Sequence, residues 1–483
     1  MTVPVPELES RATACAERLR DAEEVLLVSH IDADGLTSAG IAASALTRAE
    51  ISFETTFAKQ LDADELEGVA ATDFDTVLFT DFGSGQLDLI TEHEERGDFT
   101  PIICDHHQPA EAETKFHCNP LLEGINGASE LSGAGTTYLL ARALGESEVR
   151  RTSKASGRDP RAENTDLAAL AVVGAVGDMQ ASDGELAGAN ATIVEEGVEA
   201  GVLDTGTDLA LYGTQTRPLP KLLEYTGDIG IPGISNDSNG VLRFLDGLDL
   251  DLRDGSEWRC WADLIDEEKQ VVANALVRRA VASGVSAEKI DGLIGTTYTL
   301  SREQPGTELR DASEFSTLLN ATARYERADV GLAVCLGDRE DALEAAQKLL
   351  TNHRRNLSEG LRWVKSSGVT CKEHLQWFDA ENRIPETIVG IVAGMALGSG
   401  GITPQKPIVA FAEKDAEHAK VSARGTHLLV RRGLDLSVAV GDAASSVGGD
   451  GGGHDVAAGA TVPKGEKTVF LDCMDRLVGG QLA

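Results

Sequence analysis

Up to about residue 195 the chain alternates short, continuous apolar runs with longer stretches of helical apolar periodicity. EEVLLVSH (23–30), SFETTFA (52–58), DTVLFTDF (75–82) and FTPIICDHH (99–107) are rich in β-branched and aromatic residues and are bounded by turn formers, which predicts strands. SAGIAASALTRAE (38–50), SGAGTTYLLARALGE (132–146) and NTDLAALAVVGAVGDM (164–179) predict helices. Unbroken apolar strands alternating with helices imply a parallel sheet covered on both faces. The polar, turn-rich RRTSKASGRDPRAEN (150–164) reads as a surface loop.

The pattern then changes. Residues 201–305 hold GTQTRPLPKLLEY, IPGISNDSNG and the tryptophan-bearing EWRCWADLIDEEKQ, followed by a long Ala/Val helix ending near Gly284. This reads as an intervening helix-rich module. Residues 306–367 are helix-rich and read as a connector. Residues 368–483 return to strands and helices, as a smaller α/β domain that contains the glycine cluster SVGGDGGGHDVAAGA. The expected organisation is therefore an N-terminal parallel-sheet domain over 1–200, the module, the connector and a C-terminal α/β domain.

Composition narrows the class. A chain of 483 residues suggests about two to four domains. The apolar fraction of 42% and charged fraction of 25% are those of a globular protein with real cores. The longest apolar candidate, IVGIVAGMALGSGGI from Ile388, is short and interrupted by glycines, so no membrane span is expected. The N-terminus lacks the basic and apolar regions of a secretory signal. Seven scattered cysteines without a CxxC pair exclude a disulfide scaffold and a zinc ribbon, and point to a reduced, cytoplasmic protein.

The net charge of −36 changes the picture more. Taken alone it disfavours a polyanionic partner. The acids are spread over the whole chain and Lys is rarer than Arg, however, which is the style of salt-in halophiles. On that reading the global charge describes the solvent, and only local basic clusters describe the ligand.

The candidate chemistry lies where the predicted strands end. In an open parallel sheet, ligands bind in the crevice at the carboxyl ends of the strands. The first strand delivers His30, Asp32 and Asp34, with Gly35 expected to turn the backbone tightly behind them; the third delivers Asp81 and the fourth Asp105, His106 and His107. A later helix ends in Asp178, although an acid there opposes the helix dipole. Asp-Gly alone is a common turn, and His117, with Cys118 beside it, reads as a packed or loop histidine rather than a further metal ligand. A buried strand running into Asp105-His106-His107 is costly unless those groups have partners. Mixed imidazole and carboxylate suits Mn²⁺ better than Ca²⁺. So many ligands exceed the needs of one ion, and a pair about 3.5–4 Å apart, bridged by one carboxylate, fits better and is suited to phosphoester cleavage.

HIDADG, the isolated acid of TDFGSG, DHH, GDM and the C-terminal GGGH, in that order, resemble the DHH phosphoesterase superfamily. Within it the chain is most similar to RecJ-like exonucleases of the archaeal, haloarchaeal type. The resemblance implies that His30, Asp32 and Asp81 hold one Mn²⁺ and Asp34, Asp81, His106 and Asp178 a second, with Mg²⁺ as the alternative ion. It implies that Asp81 bridges, Asp105 orients His106, and His107 faces the scissile phosphate. His30 departs from bacterial RecJ proteins, which carry an acid there. Ser132, Gly133 and Gly135 at a helix start resemble a substrate-facing turn, and a helix N-terminus is a good anion seat. Lys420, Ser422 and Arg424 fall on one strand face, and Gly451, Gly452, Gly453 and His454 supply a glycine nest before a small-residue helix; together they resemble the phosphate-binding lobe of the DHH-associated domain. The implied activity is exonuclease cleavage of single-stranded DNA or RNA in repair, replication or RNA turnover, with replisome proteins as further partners. The alternatives are a small-substrate phosphodiesterase and a non-catalytic replisome-associated binding protein.

Overall fold

The computed structural model describes residues 4–152, 164–181, 184–226, 229–399 and 401–482. The centre of the loop expected over 150–164 lies outside them. The N-terminal region runs α1 (Glu9–Arg20), β1 (Glu24–His30), α2 (Ala33–Arg48), β2 (Ser52–Ala58), α3 (Ala63–Ala70), β3 (Thr76–Thr80), α4 (Leu87–Arg96), β4 (Thr100–Cys104), β5 (His117–Cys118), α5 (Gly133–Thr152), α6 (Ala168–Gly177) and α7 (Gly188–Glu199). Its five strands form a wholly parallel sheet in the order β2-β1-β3-β4-β5. β3 is buried throughout and β1 along its centre, as an α/β sheet covered on both faces requires. The expected α/β architecture is present.

The small residues of α2 do the packing that positions the site. Nearly the whole helix is buried, and α2, α5 and α6 pack against one another. Ala and Gly keep these axes close; at Gly174 of α6 a Cβ would come within 2.5 Å of Ala134 Cβ and Thr37 Oγ1.

Next come β6 (Leu203–Leu209), α8 (Leu219–Glu224), α9 (Ser238–Asp246), a small hairpin of β7 (Arg253–Asp254) and β8 (Glu257–Trp258), α10 (Asp266–Ala282), α11 (Ala287–Asp291) and β9 (Ile294–Leu300). β6 and β9 pair antiparallel, and the helices share a core around Trp261, Leu222, Val241 and Leu276. Then follow α12 (Ala312–Arg324), α13 (Ala328–Cys335) and the long α14 (Asp341–Ser367). The chain divides into two compact units, 1–347 and 348–483.

In the second unit, β10 (Thr370–Cys371), β11 (Gln376–Asp379), α15 (Glu386–Ala396), β12 (Ile408–Glu413), β13 (His418–Arg424), α16 (His427–Val430), α17 (Leu436–Ser445), β14 (Asp450–Gly453), β15 (Ala457–Pro463) and α18 (Lys467–Leu482) build a mixed sheet in the order β10-β11-β12-β13-β15-β14. One expectation fails here. The small residues after His454 form strand β15, not a helix, and the glycines before it form edge strand β14, not a nest. Ala458, Ala460 and Val462 alternate inward, and small side chains suit a strand packed closely beneath α17. No helix among the described residues is long and apolar enough to cross a membrane.

Candidate metal centre

The central strands β1, β3 and β4 deliver their polar residues to one edge. His30 ends β1, and Asp32 caps α2, its Oδ1 accepting from Gly35 N–H at 3.0 Å. Gly35 lies in the first turn of α2 rather than in a left-handed turn. Its glycine is needed for room, since a Cβ would come within 2.2 Å of the His30 carbonyl oxygen.

Asp81 follows β3 in a left-handed conformation, φ 63°, which aspartate tolerates better than most residues. That turn drives its carboxylate into the site at 2% exposure. Its Oδ2 lies 3.5 Å from His30 Nδ1 and its Oδ1 3.3 Å from His106 Nε2. His30 Nδ1 is also 3.2 Å from Asp32 Oδ2, and His106 Nε2 is 3.7 Å from Asp34 Oδ2. Asp178, the C-cap of α6, places Oδ2 3.8 Å from His106 Nδ1. Three donor groups result: His30, Asp32 and Asp81; Asp34, His106 and Asp178; and Asp81, Asp105, His106 and His107, each with ligand atoms within 4.8 Å of one another.

Asp34 is held by atoms far along the chain. Gly133 N–H donates to its Oδ2 at 2.7 Å and Ala134 N–H to its Oδ1 at 3.0 Å. Substrate was expected at the N-terminus of α5; its first N–H groups meet this internal carboxyl group. Ser132 Oγ accepts from Gly135 N–H at 3.1 Å and caps the helix, so Ser132, Gly133 and Gly135 support the site from within. A Cβ at Gly133 would come within 2.3 Å of Asp81 Oδ1.

A second correction concerns Asp105. It was expected to orient His106, yet its Oδ1 meets His107 Nδ1 at 2.8 Å, while the His106 ring is held through Nδ1 by the Gly127 carbonyl at 2.6 Å. Asp105 reaches only the backbone N–H of His106, at 2.7 Å, because successive residues leaving a strand diverge. A carbonyl can only accept, so His106 Nδ1 carries a proton and Nε2 is turned toward Asp81 and Asp34. The His107 ring, held through Nδ1, is half-exposed.

A buried network unmarked in the sequence backs these groups. Ser84 N–H donates to Asp105 Oδ2 at 2.9 Å, and Ser84 Oγ meets His117 Nε2 and Asn119 Nδ2, each at 2.8 Å. Asn119 Nδ2 also donates to the His107 carbonyl at 2.9 Å. His117 is thus a packed histidine, as read, and burial pulls its ring down to about 4. Gln180 Nε2 donates to Gly127 O at 2.8 Å and to Asp178 Oδ2 at 2.9 Å, while its Oε1 accepts from Asn190 at 2.6 Å. Asn320 of α12 accepts from Ala33 N–H at 3.1 Å. Only Asn119-Pro120 carried a local signal, that of a turn.

The electrostatics are those of crowded buried acids. Burial, then the charges of Asp81 and Asp178, push Asp34 well above the usual carboxylate range. Burial also opposes ionisation of Asp81, but the imidazoles of His106 and His30, at 3.3 and 3.5 Å from its oxygens, outweigh it and hold Asp81 well below that range. Burial disfavours the charged imidazoles of His30 and His106, yet Asp32 and Asp81 raise His30, and Asp81, Asp34 and Asp178 raise His106, each to about 11. Burial likewise opposes Asp105, and the His107 hydrogen bond brings it down to about 2. The buried Asp81 Oδ1 makes no hydrogen bond, and the mixed oxygen and imidazole donors fit a divalent metal ion.

The C-terminal residues form their own cluster within the second unit. Lys420, Ser422 and Arg424 share a face of β13, and Gly390 of α15 approaches so closely that a Cβ there would meet Arg424 at 2.5 Å and Ser422 Oγ at 3.0 Å. Ser422 pairs with Gly459 of β15, which pairs with Gly452 of β14, leaving a row without side chains beside Ser422. Gly451 and Gly453 flank that row, and His454 follows it, exposed.

Residues 24–174 match the DHH family N-terminal domain, 211–294 the DHH-CID domain and 378–480 the DHHA1 domain. The chain is 29% identical over 491 residues to an uncharacterized protein of Methanocaldococcus jannaschii, with 100% of both covered. RecJ from Thermus thermophilus in complex with Mn²⁺ matches with a TM-score of 0.60 at 18% identity, over 99% of this chain and 55% of that one, so this chain spans about half the length of that RecJ. A manganese-bound exonuclease RecJ matches with a TM-score of 0.60 at 17% identity, over 99% and 96% of the two chains. CDC45 from Entamoeba histolytica matches with a TM-score of 0.66 at 11% identity, over 98% of each chain. At these identities the likeness to solved structures is one of fold. The DHH domain, which carries the clustered acids and histidines apart from Asp178, and the DHHA1 domain, which carries the glycine-edged side of the second sheet, are those of the DHH superfamily.

Proposed function

We propose that this protein is a metal-dependent phosphodiesterase that removes nucleotides from an end of single-stranded DNA or RNA, with two Mn²⁺ ions, or Mg²⁺ in their place, as cofactor. The observation that carries this reading is Asp81, whose two oxygens face two different imidazoles and so join two donor groups. His30, Asp32 and Asp81 would hold one ion, and Asp34, Asp81, His106 and Asp178 the other. Such ions, when bound, polarise the phosphate and lower the pKa of a water nucleophile. The protein's own part is positional. The N–H groups of Gly133 and Ala134 fix Asp34, Gly127 fixes the donor nitrogen of His106, and Gln180 fixes Asp178. The hydrogen bond that His107 Nδ1 donates to Asp105 raises His107, with burial opposing, so that this half-exposed ring keeps its proton further up the pH scale and can donate to a phosphate oxygen. In the second unit, Lys420, Ser422, Arg424, Gly451, Gly452, Gly453 and His454 would form a phosphate-binding face. The setting would be a halophile's cytoplasm, in repair, replication or RNA turnover.

A replisome-associated binding role is a second reading, supported by the fold shared with CDC45. The deciding experiment incubates the protein in concentrated salt, with Mn²⁺ or Mg²⁺, with end-labelled single-stranded DNA, RNA, a dinucleotide and pyrophosphate. Stepwise release of mononucleotides from long strands is expected. Cleavage of dinucleotides alone would leave a small-substrate phosphodiesterase, and no cleavage at all would favour the binding role.

A further inference from the structure

Met179 combines two departures from ordinary design beside Asp178. Its side chain is 81% exposed, more than any other large apolar group among the described residues. Its backbone is left-handed, φ 59°, and the other non-glycine residues with positive φ among the described residues are Glu50, Asp81, Asn164, Asn236, Glu326 and Glu381, all polar. The conformation closes α6. Met179 N–H donates to Val176 O at 3.1 Å and Gln180 N–H to Ala175 O at 3.0 Å, the pattern in which glycine is usual at the left-handed position. Neither helix end nor core gains from methionine here. Glycine would relieve the strained Cβ and remove an exposed apolar side chain.

The turn bearing it is nonetheless firmly held. Gln180, on its far side, is bonded to Asp178 at 2.9 Å, to Gly127 at 2.8 Å and to Asn190 at 2.6 Å. A fixed turn thus displays one flexible, polarizable apolar group immediately next to a member of the Asp34, His106 and Asp178 donor group. We infer that Met179 is the apolar contact for the base of the nucleotide whose phosphate occupies the metal centre, a specificity-determining residue of the site. A thioether packs favourably on an aromatic ring and adapts its shape, and every nucleobase offers such a ring, so the contact would favour nucleotides without selecting sequence. This rests on the phosphodiesterase reading above.

The test compares wild type, Met179→Gly and Met179→Leu on a single-stranded oligonucleotide and on the same strand with abasic nucleotides at both ends. The readout is the preference for the base-bearing strand, as a ratio of kcat/KM values, together with the melting temperature of each protein. Met179→Gly is expected to melt at or above wild type while its preference falls by about tenfold, the upper end of what a sulfur–aromatic contact supplies. Met179→Leu, which keeps the apolar bulk without the sulfur, should lose less of the preference than Met179→Gly. An unchanged preference in Met179→Gly, or a lower melting temperature that marks a structural role, would overturn the inference alone. Failure of the wild type to cleave either strand would overturn the phosphodiesterase reading and this inference with it.

Discussion

Asp81 concentrates the chemistry of the site in one side chain, and its left-handed backbone is what lets both oxygens face inward. Replacing it by Ala removes the acid shared by two donor groups. Hydrolysis should fall by more than about a hundredfold, since even outer partners of a metal site are worth about 10–100-fold. Circular dichroism should show the fold retained, and titration calorimetry with Mn²⁺ should show fewer ions bound; undiminished hydrolysis would exclude the bridging role. Asp105 acts through His107, its partner at 2.8 Å. Asp105→Asn should lower kcat by about 10–100-fold with Mn²⁺ stoichiometry unchanged. A matching loss of bound ions would show that Asp105 serves the metals instead. Residue identity was legible here because each polar group interrupts an apolar strand, but residue pairing was not, and Asp105 belongs with His107 rather than His106.

At the scale of elements, the site depends on how closely α2, α5 and α6 approach. At Gly174 a Cβ would come within 2.4 Å of Asp34 Oδ1, 2.5 Å of Ala134 Cβ and 2.5 Å of Thr37 Oγ1, all three packed in from α2 and α5. Gly174→Ala should therefore cost about 1–3 kcal/mol in urea denaturation, as overpacking does, and should weaken metal binding in step. A second element-scale prediction concerns α12. Glu314 in its first turn is fully buried, accepting from Gln215 N–H at 2.7 Å and Thr216 Oγ1 at 2.5 Å, and burial outweighs these hydrogen bonds and raises it to about 7. The folded state then holds this proton more tightly than the unfolded chain, where the carboxyl titrates near 4.5. Its stabilising contribution is present below that value and is lost as pH rises through about 7. Glu314→Gln should flatten this decline, so its melting temperature relative to wild type should rise between pH 5 and pH 8 on the order of that shift. A constant difference would show that Glu314 does not titrate in that window.

For the whole molecule the dominant quantity is the net charge of −36. Self-repulsion of that size destabilises a compact chain in dilute salt, and at about 1 M salt the screening length shrinks to about 3 Å. The melting temperature should rise steadily between about 0.2 M and about 3 M KCl. A flat or falling curve would refute the halophilic reading. The charge also explains why composition pointed away from nucleic acid while the motifs pointed toward it, since the groups proposed to meet phosphate, Lys420 and Arg424, are few and lie on a single strand face.

Strand positions, helix positions and the order of acids and histidines were determined by the sequence itself, because apolar periodicity is a local property and a parallel sheet brings the carboxyl ends of its strands to one edge. Small-residue segments escaped that logic. Residues 457–463 carry too little periodic contrast to separate strand from helix, and their pairing with β13 decided the outcome. Tertiary structure alone decided that the α5 N-terminus holds Asp34 across 99 residues, that Gly127 holds His106, that His117 and Ser84 stand behind Asp105, and that Met179 is left exposed beside Asp178. Those choices arise from close packing between segments distant in the chain, where one Cβ or one carbonyl direction determines which partner is within reach.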